Sequence, residues 1–335
     1  MARVLVTGAS GFLGSHLASA LARQGHHVRA LVRRTSSIVR LFDPNVEIFY
    51  GDMKNEDSLQ KAVDQVDIVY HAAAALSGSR REFEESTIRG TRWLLHLSSA
   101  AGVRRFVLIS SIVVYRDRSC RGNAFIDENC PKEQHPERIG PYAHSKIEAE
   151  KAAFESLQKG LPVVVVRPGI IYGPGGRLIH PSVGHFLTKR WFVMIGPGDG
   201  LLPLIYIDNA VDGILLAASG ETTIGQTYNL VDDIAITKMK YLNTYRKNRT
   251  EPLYVLRLPL SLILAAALLA EPLKRMGVVN YDSTITDIVK QYRGVRIDAA
   301  KARRELAWKS RVGFEEGFQR SFNHQKPVER DKNIL

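Results

Sequence analysis

Cysteine is almost missing from this chain of 335 residues: Cys120 and Cys130 are the only two. They stand in a polar stretch without a CxxC pair or a histidine cluster. A disulfide framework and a zinc framework are thereby excluded, no metal is expected, and reduced thiols in a cytoplasmic setting follow. Long apolar runs are scarce as well. The segment that stands out, Leu258 to Ala270, is bounded by Arg257 and Glu271. As a helix it would reach about 20 Å against roughly 30 Å of bilayer hydrocarbon, which excludes a transmembrane helix. Two readings stay open for it. It is a buried helix, or an interfacial one whose Arg257, Lys274 and Arg275 meet lipid headgroups in peripheral membrane contact. Strand-like residues begin within a few positions of Met1, so a signal peptide is not expected. Acidic charge is in deficit, and the net charge is +12. The Lys and Arg are scattered rather than gathered into a stripe, which argues against nucleic acid. A basic surface does favour an anionic cofactor or membrane.

What is present is alternation. The apolar run Val4-Leu5-Val6 ends in Thr7-Gly8-Ala9-Ser10-Gly11-Phe12-Leu13-Gly14, and Phe12 to Gln24 reads as a helix stopped by Gly25. Strand patterns follow at His27 to Val32, Val46 to Tyr50, Val66 to Tyr70, Phe106 to Ile109 and Leu161 to Val166. Long helical patterns cover Arg80 to Ala101 and Ile139 to Lys159, and the two together offer a surface for a homodimer. Short apolar runs alternating with amphipathic helices predict an α/β fold. It is a doubly wound parallel sheet of the Rossmann type, with ligands beyond the carboxyl ends of the strands. After Arg167-Pro168, Gly- and Pro-rich loops and helices take over. Leu204 to Ile207 and Thr227 to Val231 are expected to return to the main sheet. The dinucleotide-binding domain is thus 1–167 plus about 204–231. A smaller, mainly helical substrate lobe takes about 168–203 plus 232–324, and a polar tail, 325–335, is expected to fray.

Gly8, Gly11 and Gly14 follow a strand and open a helix, the context in which such a pattern carries weight. Gly8 permits the tight turn, Gly11 the approach of backbone to pyrophosphate, and Gly14 close helix–strand packing. Ser10, Phe12 and Leu13 complete the turn around the anion. About 20 residues after the glycines an NAD site wants an acid for the ribose hydroxyls. This chain has Arg33-Arg34 instead, with Ser36 close by. A guanidinium clamps a 2′-phosphate that a carboxylate would repel, so NADP is preferred, with NAD also compatible. Asp52 and Met53 after the third strand, and Ala72, Ala73 and Ala74 after His71, are candidates to lie along the cofactor.

Tyr142 and Lys146 are four residues apart, hence on one helix face, with Pro141 suited to the first turn. A free phenol has a pKa of about 10, and a nearby ammonium would lower it toward neutrality. Lys146 is expected to do this and to hold the nicotinamide ribose. Ser110 and Ser111 end the fifth strand and can point a hydroxyl at a substrate oxygen.

With these motifs in hand, the chain resembles the extended short-chain dehydrogenase/reductase superfamily, the NAD-dependent epimerase/dehydratase family. The resemblance runs through TGASGFLG, GDMKNEDSL, HAAA, GVRRFVLISSIVVY, YAHSK, RPGIIYGPG, IYIDNAVDG and ARRELAWKSRVGFEEGF. It implies that Tyr142 is the general acid/base, Lys146 the residue that tunes it, and Ser111 the orienting hydroxyl, with Ser110 as the fallback. Pro168 and Gly169 match the loop beside the nicotinamide. One departure is Thr87 in Thr87-Ile88-Arg89-Gly90-Thr91, where the family often has Asn. Another is Leu202, in the slot where nucleotide-sugar enzymes often carry an arginine for the substrate's pyrophosphate. A buried pyrophosphate without a cation is costly. The chain therefore resembles the 3β-hydroxysteroid dehydrogenase and dihydroflavonol-reductase-like branches, whose substrates are apolar ketones and alcohols. The resemblance implies an NADP(H) oxidoreductase on such a substrate. A nucleotide-sugar epimerase or dehydratase and a non-catalytic NADP-binding sensor are the alternatives.

Overall fold

The computed structural model describes residues 1–115, 125–135, 140–275 and 296–331. Cys120 and Ile139 lie outside them. The central sheet is parallel and has seven strands. Six are β1 (Arg3–Thr7), β2 (His27–Val32), β3 (Val46–Tyr50), β4 (Ile68–His71), β5 (Arg105–Ile109) and β6 (Val163–Pro168). The spatial order is β3-β2-β1-β4-β5-β6, and Thr227–Leu230 pairs with β6 at the far edge. The chain winds outward from β1 to β3, then returns to β4 on the other side of β1. A crevice follows beyond the carboxyl ends of β1 and β4, where the winding reverses.

The apolar runs of β1, β5 and β6 are buried because helices cover both sheet faces. Val4 and Val6 join one core cluster with Leu17 and Leu21 of the helix Phe12–Arg23 and Ile214 of the helix Ile207–Ser219. Leu5 points the other way, into a cluster with Leu59 of Glu56–Val63 and Leu94 of Gly90–Ala100. The period of two along the strand assigns side chains to alternate faces. Asn209, fully buried, ties two late motifs together. Its amide donates to Asp232 Oδ1 at 2.8 Å and to the Val312 carbonyl at 2.9 Å. Its carbonyl oxygen accepts from the amides of Arg311 and Val312 at 3.0 and 3.1 Å.

Three expectations need correction. Leu204–Tyr206 does not rejoin the main sheet; it pairs in parallel with Ile170–Tyr172 in a separate two-stranded sheet. The chain leaves the large sheet after Pro168, and the Ile170 amide turns to the Pro203 carbonyl at 2.7 Å. The tail expected from 325 is helical to Asp331, within the helix Phe314–Asp331. Phe314 and Phe318 pack on Tyr241, Phe322 packs on Tyr245, and Gln325 Nε2 donates to the Gly176 carbonyl at 3.1 Å, which together hold the helix down. The buried-helix reading of Leu258 to Ala270 fails. Leu258 ends the strand Tyr254–Leu258, and the helix Leu260–Arg275 leaves Leu262, Leu268 and Leu269 exposed.

Candidate active site

The glycine turn shows why each glycine is there. Gly8 has φ of +67°, and a Cβ on it would sit 2.8 Å from the Ala73 nitrogen. A Cβ on Gly14 would sit 2.1 Å from the Gly8 carbonyl oxygen, so the helix and the turn after β1 touch backbone to backbone. Gly11 is the N-cap of the helix Phe12–Arg23, without a side-chain cap and without an acid in the first turn. Its first amides are therefore left for an anion, and the helix dipole favours one. These features fit a dinucleotide pyrophosphate. Ser10, Phe12 and Leu13 line this turn, and the ring of Phe12 supports the loop at Gly173 and Gly176.

At the end of β2, Arg33 is exposed and makes no ion pair among the described residues, while Arg34 stacks on Tyr50 with its Cζ 5.1 Å from the ring centroid. Asp52 Oδ1 accepts from the Lys54 amide at 2.9 Å. Met53 is in the core, and a Cβ on Gly90 would sit 2.6 Å from its carbonyl oxygen. Ala72, Ala73 and Ala74 are half-buried beside the glycine turn. Thr87 lies in the π-helical stretch Phe83–Arg89, and its hydroxyl accepts from the Ala75 amide at 3.0 Å. It therefore shapes the alanine loop. His71 is buried between Thr7 Oγ1 at 2.7 Å and Thr91 Oγ1 at 2.8 Å. Burial, assisted by the charge of Lys146, pushes its pKa down to about 3, so it stays neutral and serves as a strut.

Beyond β5 the two serines part. Ser110 Oγ donates to Glu150 Oε1 at 2.6 Å, which turns it away from the crevice. Ser111 caps the short helix Ile112–Val114, accepting from the Val113 amide at 3.3 Å, and its hydroxyl favours the ionised form of the Tyr142 phenol. Tyr142 stands on the helix Pro141–Gln158, half-buried. Burial raises its pKa above the ordinary value, and the Ser111 hydroxyl offsets part of that. This corrects the expectation that Lys146 lowers it. The ammonium lies over the ring, 6.0 Å from the centroid, and donates to the Ile109 carbonyl at 2.7 Å. Burial pushes Lys146 down to about 8, against the pull of Glu150.

Two functional neighbours escaped the sequence reading. Glu150 is fully buried and meets Arg167 through two bonds, Nε to Oε1 at 2.8 Å and Nη2 to Oε2 at 2.7 Å. Lys132 Nζ reaches the same carboxylate at 3.1 Å. Arg167 Nη1 also donates to Tyr115 Oη at 2.8 Å, and Tyr115 donates to Asn229 at 2.6 Å. The available signal was spacing, since Tyr142, Lys146 and Glu150 follow at intervals of four on one helix face. Pro168 ends β6, and a Cβ on Gly169 would sit 2.1 Å from the Pro203 carbonyl oxygen. Leu202 is 3% exposed and belongs to the core.

This arrangement defines a class of protein: an enzyme that holds a nicotinamide dinucleotide at the sheet's crevice and handles a proton beside it. The model of the NAD dependent epimerase/dehydratase family matches residues 4–230. The chain belongs to that family, within the extended short-chain dehydrogenase/reductase superfamily. It is 28% identical over 319 residues to 4-hydroxy-2-methyl-3-oxo-4-farnesyl-3,4-dihydroquinoline-1-oxide ketoreductase of Stigmatella aurantiaca, covering 94% of each chain. It is 31% identical over 258 residues to 3 beta-hydroxysteroid dehydrogenase/Delta 5-->4-isomerase of Mycobacterium tuberculosis, covering 72% of this chain and 68% of the relative. A similar fold occurs in UDP-glucuronic acid 4-epimerase of Bacillus cereus in complex with NAD, with a TM-score of 0.75 and 20% identity over 97% of this chain and 99% of the other.

Proposed function

We propose that the protein is an NADP(H)-dependent oxidoreductase that interconverts an apolar ketone and a secondary alcohol. The observation that carries the apolar reading is Leu202, a core leucine in the slot where sugar-nucleotide enzymes often hold an arginine. The names of the ketoreductase and the steroid dehydrogenase support it, since farnesylated quinolines and steroids are apolar.

When bound, the nicotinamide supplies hydride to the substrate carbon or accepts it. Tyr142 gives its proton to the carbonyl oxygen during reduction and recovers it from the alcohol during oxidation. A phenol that burial keeps protonated suits reduction at neutral pH. Ser111, whose hydroxyl favours the ionised form of the Tyr142 phenol, steadies the same oxygen as negative charge develops. Lys146 holds the nicotinamide ribose from its seat on the Ile109 carbonyl.

Titration with NADPH and NADH, then with apolar ketones and UDP- or GDP-sugars, tests the reading. Cofactor oxidation by an apolar ketone supports it. Sugar-nucleotide conversion without net cofactor oxidation moves the protein to the epimerase branch. The NADP preference rests on Arg33, exposed and free of ion pairs among the described residues. Arg33→Asp is expected to weaken NADPH by about 10- to 100-fold, the worth of one charge-assisted hydrogen bond, with NADH little changed. Equal losses for both cofactors, measured by fluorescence titration, overturn the assignment.

A further inference from the structure

We infer that the face built from the helix Leu260–Arg275 and the end of the neighbouring three-stranded sheet docks on an anionic lipid surface. In that sheet Trp191–Ile195 pairs in parallel with Tyr254–Leu258. The register sets Trp191 opposite Tyr254, Val193 opposite Leu256 and Ile195 opposite Leu258, so these six side chains share one sheet face. The helix covers only part of that face. Leu260 and Ile263 pack with Leu258 on Val193 and Ile195. Trp191, Tyr254 and Leu256 stay uncovered, at 48%, 52% and 44% exposure. The other side of the helix is apolar and uncovered too. Leu262, Ala265, Ala266 and Leu269 fall on one stripe at helical spacing, and all four are exposed. Leu187, at the turn before Trp191, extends the patch.

The surroundings select the occupant. Lys189 and Arg190 sit in the turn that leads into Trp191, and Arg249 Nη2 donates to the Lys189 carbonyl at 2.9 Å. Arg246 and Lys247 are exposed at the end of the helix Lys238–Asn248. Glu251 lies 3.9 Å from Arg190 and 4.0 Å from Arg249. Lys189, Arg246 and Lys247 make no ion pair among the described residues. An apolar patch with Trp and Tyr beside it and cations at its edge matches a bilayer interface, where rings lie at headgroup level and ammonium and guanidinium groups meet phosphate. A second copy docked face to face would set these cations against one another. The contact is interfacial, because among the described residues no helix is long and apolar enough to cross a membrane. The side chains of Lys274 and Arg275 lie outside the described residues.

Co-sedimentation of the purified full-length chain with vesicles tests this. Binding is expected to equimolar phosphatidylserine and phosphatidylcholine at low salt, to be much weaker with phosphatidylcholine alone, and to fall as salt rises. Trp191 emission is expected to shift to the blue on binding, and Trp191→Phe to remove the shift. Leu262→Gln with Leu269→Gln is expected to weaken binding by about tenfold or more, since two exposed leucines lose their apolar contact. Lys189→Glu with Arg190→Glu is expected to abolish the preference for anionic vesicles. Turnover of a water-soluble ketone is the separate readout that distinguishes this inference from the proposed reaction. No binding to anionic vesicles at low salt overturns the inference. So does a dimer that Leu262→Gln with Leu269→Gln dissociates.

Discussion

Tyr142→Phe is expected to lower turnover by about 10²- to 10⁴-fold, the usual worth of a positioned general acid. The substitution removes one hydroxyl and keeps the ring over which Lys146 lies. NADPH affinity should therefore stay near that of the parent, since the glycine turn at Gly8 to Gly14 lies on a different element. Steady-state rates with an apolar ketone, set beside a fluorescence titration of NADPH, separate the two effects. Substantial turnover in the variant would remove Tyr142 from the reaction. The parent's pH profile is a second check. Burial raises the phenol's pKa, so reduction should hold through neutral pH and fall only in the alkaline range, while oxidation should quicken as pH rises.

Glu150→Ala is expected to cost about 3–5 kcal/mol of folding stability, because it strands the buried Arg167 guanidinium without its carboxylate. It also leaves the Ser110 hydroxyl and Lys132 without their common acceptor. Urea unfolding of parent and variant measures the loss, and a difference under about 1 kcal/mol, the scale of a surface pair, would contradict the buried-network account. The pH dependence has a definite sign. Burial pushes the Glu150 carboxyl up, but the bonds and charge of Arg167, with Lys132 and Ser110, outweigh it and hold the group below its usual value. Its stabilisation is present above the ordinary glutamate pKa and is lost as pH falls through the depressed one. Glu150→Gln should remove that part of the acid-limb slope.

The network also adjoins the candidate site. Lys146 sits one turn from Glu150 on the same helix, and its Nζ is anchored at the end of β5, beside the serine that Glu150 holds. Glu150 and Arg167 are positioning residues in this sense. They hold strand ends and the helix face in one register while touching neither the crevice glycines nor Tyr142.

Much of the site was legible because its parts are local. The Gly8 turn follows from a strand, a positive φ and a helix start within a few residues. Tyr142 and Lys146 share a face because four residues make about one helical turn. Apolar runs at strand length specify a parallel sheet wherever helices can cover both sides. The order of these pieces along the chain was enough to put the glycine turn and the Tyr142–Lys146 face at the same edge of the sheet.

Contacts between distant segments were beyond such reading. Which of Ser110 and Ser111 faces Tyr142 depended on a glutamate forty residues away that captures Ser110. The direction of the Tyr142 pKa depended on burial, which outweighed the ammonium four residues along. Leu204–Tyr206 has the composition of a main-sheet strand, yet it pairs elsewhere because its partner, Ile170–Tyr172, turns off the sheet after Pro168. The run Leu258 to Ala270 reads the same whether its outer face is covered or bare, and only packing decided that one side rests on Val193 and Ile195 while the other meets solvent. By itself the sequence determined what depends on period and spacing: the fold class, the glycine turn and the Tyr–Lys face. The tertiary structure alone decided partners, burial and charge balance, because these arise from segments brought together by folding and not from their nearness along the chain.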